Sequence, residues 1–312
     1  MHNSTQYANS IFEQPWWLDI VAKDCWHEVT VEENGEVVAR LPYIFKRKNI
    51  CMPPLTQTLG PWIKQEYREN QPGNTQFGKQ KKIINALLEQ LPKHRSFRMC
   101  FDNENSYILP YRWEGFSFEP TFSYRINDLT NIESIYNNLH KNVKRNIKRA
   151  EKLVQINYES NPDILIELMT QTFSSQNRKL PISKELIRKI VLICDKNESG
   201  RMFTAIDEQG RIHACSYMIY DKKRAYSLFS GRNNKVQNSD ADTLIYWDEI
   251  KYASSVTKIY DFEGSMIEGI EFFVRQFGGK QVINFRVTKQ SIAHDIWYIF
   301  KPRIKKMIGY KQ

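Results

Sequence analysis

The residues best suited to chemistry stand close together in the stretch Ile259–Met266. Asp261, Glu263 and Ser265 could accept or donate protons there, and Phe262 separates the two acids. The pattern predicts a strand that ends in acids and leads into a helix, and the carboxyl ends of strands in open α/β sheets commonly border sites. Period-two alternation predicts that Asp261 and Glu263 share one face, with Phe262 turned to the core. In the alternative interpretation both acids cap the following helix, and the residues do not decide which acid would be the base.

A second group of candidates is basic and lies on a helix predicted at 131–154. Apolar residues recur there at spacings of three and four, which predicts one buried stripe. The opposite face carries Lys141, Lys144, Arg145, Lys148 and Lys152. Like charges at these spacings repel by on the order of a few tenths of a kcal/mol per pair. This face is therefore a candidate phosphate-binding surface, and a simply solvated face is the alternative.

The distribution of charge supports a local basic surface. The chain has 45 basic and 35 acidic residues, a formal net charge of +10. Residues 1–130 carry 15 of each sign, whereas residues 131–160 carry six basic and three acidic groups. Basic patches commonly contact phosphate groups. Nucleotides, RNA and anionic headgroups are thus the expected ligand classes, and DNA is not expected.

The segment Gly231–Ala241 precedes a helix predicted from 240 to about 254. Arg232 is a further candidate phosphate ligand. Ser239 suits the N-cap, and Asp240 and Asp242 suit the positively polarised first turn. The two acids also fit the pattern of metal-dependent glycosyltransferases, but their place at the start of the helix favours capping.

Composition and missing motifs exclude several classes. Of 312 residues, 41% are hydrophobic and 26% are charged, which indicates a globular protein of about two domains. The five cysteines include no CxxC pair, so a zinc ribbon is not supported. The cysteines favour a reducing compartment. There is no GxSxG, HExxH, GxxxxGK[ST] or GxGxxG motif, and no metal site is expected. No apolar run reaches about 18 residues and the N-terminus has no secretory pattern, so we expect a cytoplasmic protein.

The predicted elements indicate a mixed α/β (α+β) fold. Residues 131–290 read as two or three helices, a three-strand meander, and then helices alternating with strands, which favours a mixed sheet. Asn34-Gly35 predicts a hairpin in the first half. We therefore expect lobes at 1–130 and 131–290, followed by a basic aromatic tail at 291–312. Such a tail suits a membrane surface or RNA.

These motifs resemble the FemABX-like branch of the GNAT acyltransferase superfamily over about residues 11–290. The most specific match is the run Asp-Phe-Glu-Gly-Ser-Met at 261–266 with a later Phe-Gly-Gly at 277–279. The resemblance also includes Gln14…Trp17-Leu18, the basic helix, and Ala241…Leu244-Ile245-Tyr246-Trp247.

The resemblance implies two GNAT-like lobes, each a mixed sheet flanked by helices. It also implies transfer of an acyl or aminoacyl group onto an amine. Glu263 or Asp261 would then take the amine proton. Ser265, or one of the candidate substrate-binding residues Tyr217 and Tyr226, would donate to the leaving group.

The co-substrate stays open. GNAT enzymes hold the CoA pyrophosphate with a glycine-containing loop, but Gly231–Ala241 lacks its repeated glycines, although Arg232 and the helix start could still contact phosphate. Acyl-CoA and aminoacyl-tRNA are both candidates, with no bound cofactor.

The main hypothesis is an N-acyltransferase acting on a cell-envelope or sugar-nucleotide precursor. The acceptor would be a phosphate-bearing small molecule or be lipid-linked, and peripheral contact with the inner membrane surface is an open expectation. The alternatives are an aminoacyl-tRNA-dependent peptidoglycan-bridge peptidyltransferase and a non-catalytic module that binds RNA or a membrane surface.

Overall fold

The computed structural model describes residues 4–68, 75–237, 239–264 and 266–290. The predicted tail at 291–312 and Ser265 lie outside these residues. After a 3-10 turn at Ile11–Glu13, the helices are α1 Pro15–Val21, α2 Gln65–Arg68, α3 Thr75–Glu89, α4 Leu109–Trp113, α5 Ile132–Asn138, α6 Lys141–Ala150, α7 Pro162–Ser175, α8 Lys184–Lys196, α9 Ala241–Val256 and α10 Glu268–Arg275. The strands are β1 Trp26–Glu33, β2 Glu36–Lys46, β3 Asn49–Cys51, β4 Trp62–Ile63, β5 Ser96–Phe101, β6 Ser117–Ile126, β7 Gln155–Asn157, β8 Gly200–Ile206, β9 Ile212–Tyr220, β10 Arg224–Arg232, β11 Ile259–Asp261 and β12 Lys280–Gln290.

The chain forms two compact units. Of the described residues, the first comprises those up to Thr121 together with 283–290, and the second comprises those from Phe122 to Val282. The sequence predicts the change at 130/131, whereas the chain changes unit inside β6. The second half of β6 belongs to the second unit because Arg125 and Ile126 pair with β11.

The first unit contains a mixed sheet. β1 and β2 form the antiparallel hairpin predicted at Asn34-Gly35, where both residues have positive φ. β2 also pairs antiparallel with β3 and β4, β3 runs parallel to β5, and β12 pairs antiparallel with β5. Buried aromatic side chains such as Phe12, Trp17 and Phe97 fill its core.

The strands of the second unit lie in the order β6-β11-β10-β9-β8-β7 within a mixed sheet. β10 and β11 run parallel, and the other ladders are antiparallel. A parallel pair needs a crossover connection, and α9 provides it. Both units are mixed sheets flanked by helices, so the expected fold class is confirmed.

The long helix predicted at 131–154 is two helices, α5 and α6. Leu139 and His140 between them are extended, with ψ of 142° and 144°. His140 Nδ1 accepts a hydrogen bond from the Asn142 backbone N–H at 3.3 Å, so this residue caps a new helix. The predicted apolar stripe is nevertheless buried, since Ile135, Leu139, Val143, Ile147, Ala150 and Val154 all belong to the core of the second unit.

Candidate functional site

The parallel strands β10 and β11 part where β11 ends. Their ladder runs from Arg224–Ile259 to Tyr226–Asp261 and stops there. β10 continues along β9, with a register shift between Ser227 and Phe229. The ladder between β10 and β11 therefore does not extend beyond Tyr226 and Asp261.

Asp261 is the last residue of β11 and is fully buried. Its Oδ2 accepts from Arg125 Nε at 2.5 Å, in an ion pair that is also buried. Its Oδ1 accepts from Ser123 Oγ at 2.5 Å and from the Glu263 backbone N–H at 2.8 Å. Both oxygens are thus engaged by donors fixed in the protein, so Asp261 anchors the following turn.

Glu263 stands in that turn with φ of +57°, and Gly264 follows with φ of +51°. A Cβ on Gly264 would lie 2.2 Å from the Phe122 carbonyl oxygen, so only glycine fits. The strand ends at Asp261, and the predicted alternation therefore does not reach Glu263; Phe262 does turn into the core.

The Glu263 carboxyl differs in kind from that of Asp261. Its Oε1 is buried and has no hydrogen-bond partner among the described residues. Burial, and then the negative charge of Asp261, raise the pKa of Glu263 well above its usual range. A buried polar atom without a partner is rare and asks for a functional explanation. The geometry therefore separates the two acids that the sequence left equivalent.

A cavity of about 390 Å³ opens beside β10, and we call it the β10–α9 cavity. Side chains from β9, β10, α7, α9 and α10 line it, among them Ser216, Ser230, Asp242, Tyr246 and Ile270. Its lining includes the hydroxyl-bearing residues Thr172, Ser175, Ser216, Ser230 and Tyr246, which suits a ligand that offers hydrogen-bonding groups.

Tyr246 is a cavity residue whose proton affinity is raised. Burial, together with the charges of Glu249 and Glu263, raises the pKa of Tyr246 to about 12, while the hydroxyls of Ser227 and Ser230 act the other way. The phenol therefore keeps its proton at neutral pH and can donate it. Because the Glu263 charge acts on Tyr246, the Glu263 carboxyl and the cavity lining are electrostatic neighbours.

Sequence reasoning missed both Tyr246 as a proton donor and Glu249 as a buried acid. Glu249 is fully buried, and its carboxylate accepts hydrogen bonds from the Ser216 and Tyr260 hydroxyls. Burial raises the pKa of Glu249 to about 7. The sequence contains one signal that could have found them. Glu249 follows Tyr246 by three residues, so both lie on the same face of a helix that is otherwise largely apolar.

The candidate tyrosines Tyr217 and Tyr226 are both buried, and both of their hydroxyls are hydrogen-bonded. Tyr217 is fully buried, and its hydroxyl donates to Asp195 Oδ1 at 2.7 Å. Tyr226 is also fully buried, and its hydroxyl accepts from Arg224 Nη1 at 3.2 Å. Neither is among the described residues that line the β10–α9 cavity.

Arg232 borders the cavity and forms an ion pair with Asp242 in the first turn of α9. The predicted N-cap Ser239 is wrong, because the cap is Asp240, in left-handed conformation and without a capping side-chain hydrogen bond. Asp240 instead pairs with Arg149 at 2.9 Å. Asp240 and Asp242 therefore both form ion pairs with arginines.

The basic face of α6 is largely open to solvent. Lys141, Arg145 and Lys148 are exposed. Lys144 is half-buried and donates to the Asn137 carbonyl oxygen at 2.7 Å. Three of the four predicted phosphate ligands on this helix are therefore exposed cations.

The described residues hold no group of three or more His, Cys, Asp or Glu side chains placed to bind a metal ion. In the same part of the chain, no helix combines the length and apolar character needed to cross a bilayer.

Residues 137–264 match the family model described as the acetyltransferase (GNAT) domain. The second unit carries a GNAT domain. The matched residues include the parallel strands, α9, Tyr246 and Glu263. The superfamily resemblance is thereby confirmed, and the chain is an N-acyltransferase in the general sense of an acyl or aminoacyl transferase.

Solved structures share the fold. The crystal structure of FemX is 12% identical and superposes with a TM-score of 0.72, covering 96% of this chain and 98% of that one. The C-terminal domain of a putative lysylphosphatidylglycerol synthetase from Agrobacterium fabrum is 11% identical, with a TM-score of 0.55 and coverage of 90% and 89%. L-PGS from Bacillus licheniformis is 11% identical, with a TM-score of 0.52 and coverage of 88% and 87%. No curated protein matches the chain significantly.

Proposed function

We propose that the protein transfers an acyl or aminoacyl group onto an amine of a cell-envelope or sugar-nucleotide precursor. The observation that carries the proposal is Glu263 Oε1, which is buried just beyond the end of the β10–β11 ladder and has no hydrogen-bond partner among the described residues. The GNAT match and the adjacent hydroxyl-lined cavity support it.

In the proposed reaction, Glu263 and Tyr246 have separate roles in proton transfer. A carboxylate with a raised pKa binds a proton more strongly than a solvated one, so Glu263 suits the removal of a proton from the attacking amine. The amine nitrogen bonds to the acyl carbon while the bond to the thiol or hydroxyl leaving group breaks. Tyr246 gives its proton to that leaving group, and the proton held by Glu263 returns to Tyr246 through water. In this proposal, backbone N–H groups of β10 beyond Tyr226, where the ladder with β11 has ended, stabilise the oxyanion.

The acyl donor belongs to one of two classes. The acetyltransferase match favours acyl-CoA. One structural observation favours aminoacyl-tRNA. The loop after β10 is held by an Asn233 side chain, whose Nδ2 donates to the Ile212 carbonyl oxygen at 2.7 Å and whose Oδ1 accepts from the Lys235 N–H at 3.0 Å. Repeated glycines, which would expose backbone N–H groups to a pyrophosphate, are replaced there by asparagine.

The acceptor carries phosphate and is soluble or lipid-linked. The exposed cations Lys141, Arg145 and Lys148 are its proposed contacts, with Arg232 at the cavity. The name lysylphosphatidylglycerol synthetase of one structural neighbour supports an envelope role. The proposed place of action is the cytoplasmic side of the membrane.

The test is amide formation by the purified protein with acetyl-CoA and, separately, with glycyl-tRNA. UDP-muropeptides and UDP-amino sugars serve as acceptors, and products are detected by mass spectrometry. Glu263→Gln should lower turnover about 10²–10⁴-fold, as loss of a general base does. The exposed Glu159→Gln is the matched control and should leave turnover unchanged. Full activity of Glu263→Gln would refute the assigned base.

A further inference from the structure

Glu249 is a buried carboxylate that the proposed transfer does not use. Its Oε1 accepts from Ser216 Oγ on β9, and its Oε2 accepts from Tyr260 Oη on β11. β10 lies between these two strands in the sheet. One side chain from α9 therefore ties together the two strands that flank β10.

Placing a carboxylate there disfavours folding. No Lys or Arg of the described chain forms an ion pair with Glu249, and an unpaired buried charge is unfavourable. An apolar side chain of similar volume would pack at least as stably. Packing alone therefore does not explain a glutamate at this position. The contacts of the two hydroxyl groups that donate to it offer an explanation.

Ser216 connects Glu249 to the β10–α9 cavity. Ser216 is one of the lining residues, and its hydroxyl donates to the carboxylate. Since a serine has one O–H, that donation leaves oxygen lone pairs for a group bound in the cavity. Tyr260 directly precedes Asp261, which holds the Glu263 turn. Glu249 therefore contacts both a residue that lines the cavity and the strand that leads into the turn of the proposed base.

We infer that Glu249 is a positioning residue for acyl transfer, fixing the Ser216 hydroxyl and β11 around the bound acyl group. The inference rests on the proposed function. The ionised carboxylate accepts from both hydroxyls. Once protonated, the carboxyl must donate to one of them, which reverses that O–H group and disturbs the arrangement.

The surroundings make Glu249 the titrating group of this cluster near neutral pH. Hydroxyls of Ser216, Ser227 and Tyr260 face it from three strands, and Asp248 is its charged neighbour on α9. Asp248 is paired with Lys251 at 2.6 Å and accepts from the Tyr158 hydroxyl at 2.6 Å. Burial raises the pKa of Glu249 to about 7 and that of Tyr260 well above its usual value. The arrangement in which Glu249 accepts from both hydroxyls therefore forms at pH values above about 7.

The experiment compares Glu249→Gln and Ser216→Ala with wild type in amide formation from acetyl-CoA and from glycyl-tRNA, over pH 6 to 8. Glu13→Gln is the matched control, because Glu13 is also fully buried, with its pKa raised by burial to about 7, but belongs to the first unit. Circular dichroism checks that each variant is folded.

We expect Glu249→Gln to lower kcat about 10–100-fold with little change in KM, as misplacement of reacting groups does. The ratio of wild-type to variant rate should rise about tenfold from pH 6 to pH 8, following ionisation of a group with pKa about 7. Ser216→Ala should raise the KM for the donor and make a further Glu249→Gln change less costly, since the two side chains act together. Glu13→Gln should retain the wild-type profile.

A constant rate ratio across this pH range, or an equal effect of Glu13→Gln, would overturn the inference while leaving acyl transfer in place. Absence of amide product from wild type with either donor would refute the proposed function, and the positioning role with it. If Glu249→Gln does not fold, Ser216→Ala decides, and wild-type kcat, KM and pH profile in that variant would overturn the inference.

Discussion

Asp261→Asn should mainly lower stability, whereas Glu263→Gln should mainly lower turnover, although the two acids are two residues apart. Asp261→Asn keeps the shape of the side chain but removes the charge that Arg125 contacts at 2.5 Å. It also turns an amide N–H₂ toward a donor, because both Asp261 oxygens accept hydrogen bonds. Removing one partner of a buried ion pair costs about 3–5 kcal/mol. We expect a loss of that size in the free energy of unfolding.

Glu263→Gln removes a charge that burial and Asp261 both disfavour. The folded state binds this proton more tightly than the unfolded chain does, so wild-type stability from Glu263 falls as pH rises through the raised pKa. The variant should therefore be at least as stable as wild type at pH 7, while its turnover falls about 10²–10⁴-fold.

Urea unfolding followed by far-UV circular dichroism measures the free energies, and amide formation measures turnover. Glu159→Gln, an exposed change, should leave both quantities as in wild type. A stable Asp261→Asn without turnover, or a Glu263→Gln that loses several kcal/mol, would refute the assignment of anchor and base.

Three further predictions follow from the geometry. Gly264→Ala should destabilise the protein by about 3 kcal/mol or more in urea unfolding, since a Cβ would meet the Phe122 carbonyl oxygen at 2.2 Å; Gly269→Ala, with open space around it, should not, and equal effects would contradict this. Glu13 has its pKa raised by burial to about 7, so the stability of wild type relative to Glu13→Gln should fall as pH rises from about 4.5 to about 7; a pH-independent difference would argue against a buried titrating carboxyl. Replacing the exposed α6 cations together by Gln should weaken binding of a UDP-muropeptide and flatten its dependence on salt, measured by calorimetry, whereas unchanged binding would mean the face is only solvated; the cations are Lys141, Arg145 and Lys148.

Features that depend on local periodicity could be predicted from the sequence. The hairpin at Asn34-Gly35 and the apolar stripe of α6 need only neighbours a few residues away, and both are present. The break at His140 was missed because the stripe continues across it, so the hydrophobic pattern is the same for one helix or two.

The roles of site residues could not be read from local pattern, because distant elements fix them. Asp261 is an anchor on account of Arg125, which lies 136 residues away and meets it through the β6–β11 register. Alternation along β9 predicts opposite faces for Ser216 and Tyr217, but it does not predict that Tyr217 meets α8 and Ser216 meets α9. Glu249 acquires its significance only where hydroxyls from separate strands converge on it.

The most direct test of the account is the rate of amide formation by wild type and by Glu263→Gln, measured side by side with acetyl-CoA and glycyl-tRNA as donors. The account predicts an acylated amine from wild type with one donor class and a rate about 10²–10⁴-fold lower from the folded variant. Equal rates, or no acylated amine from wild type with either donor, would contradict it.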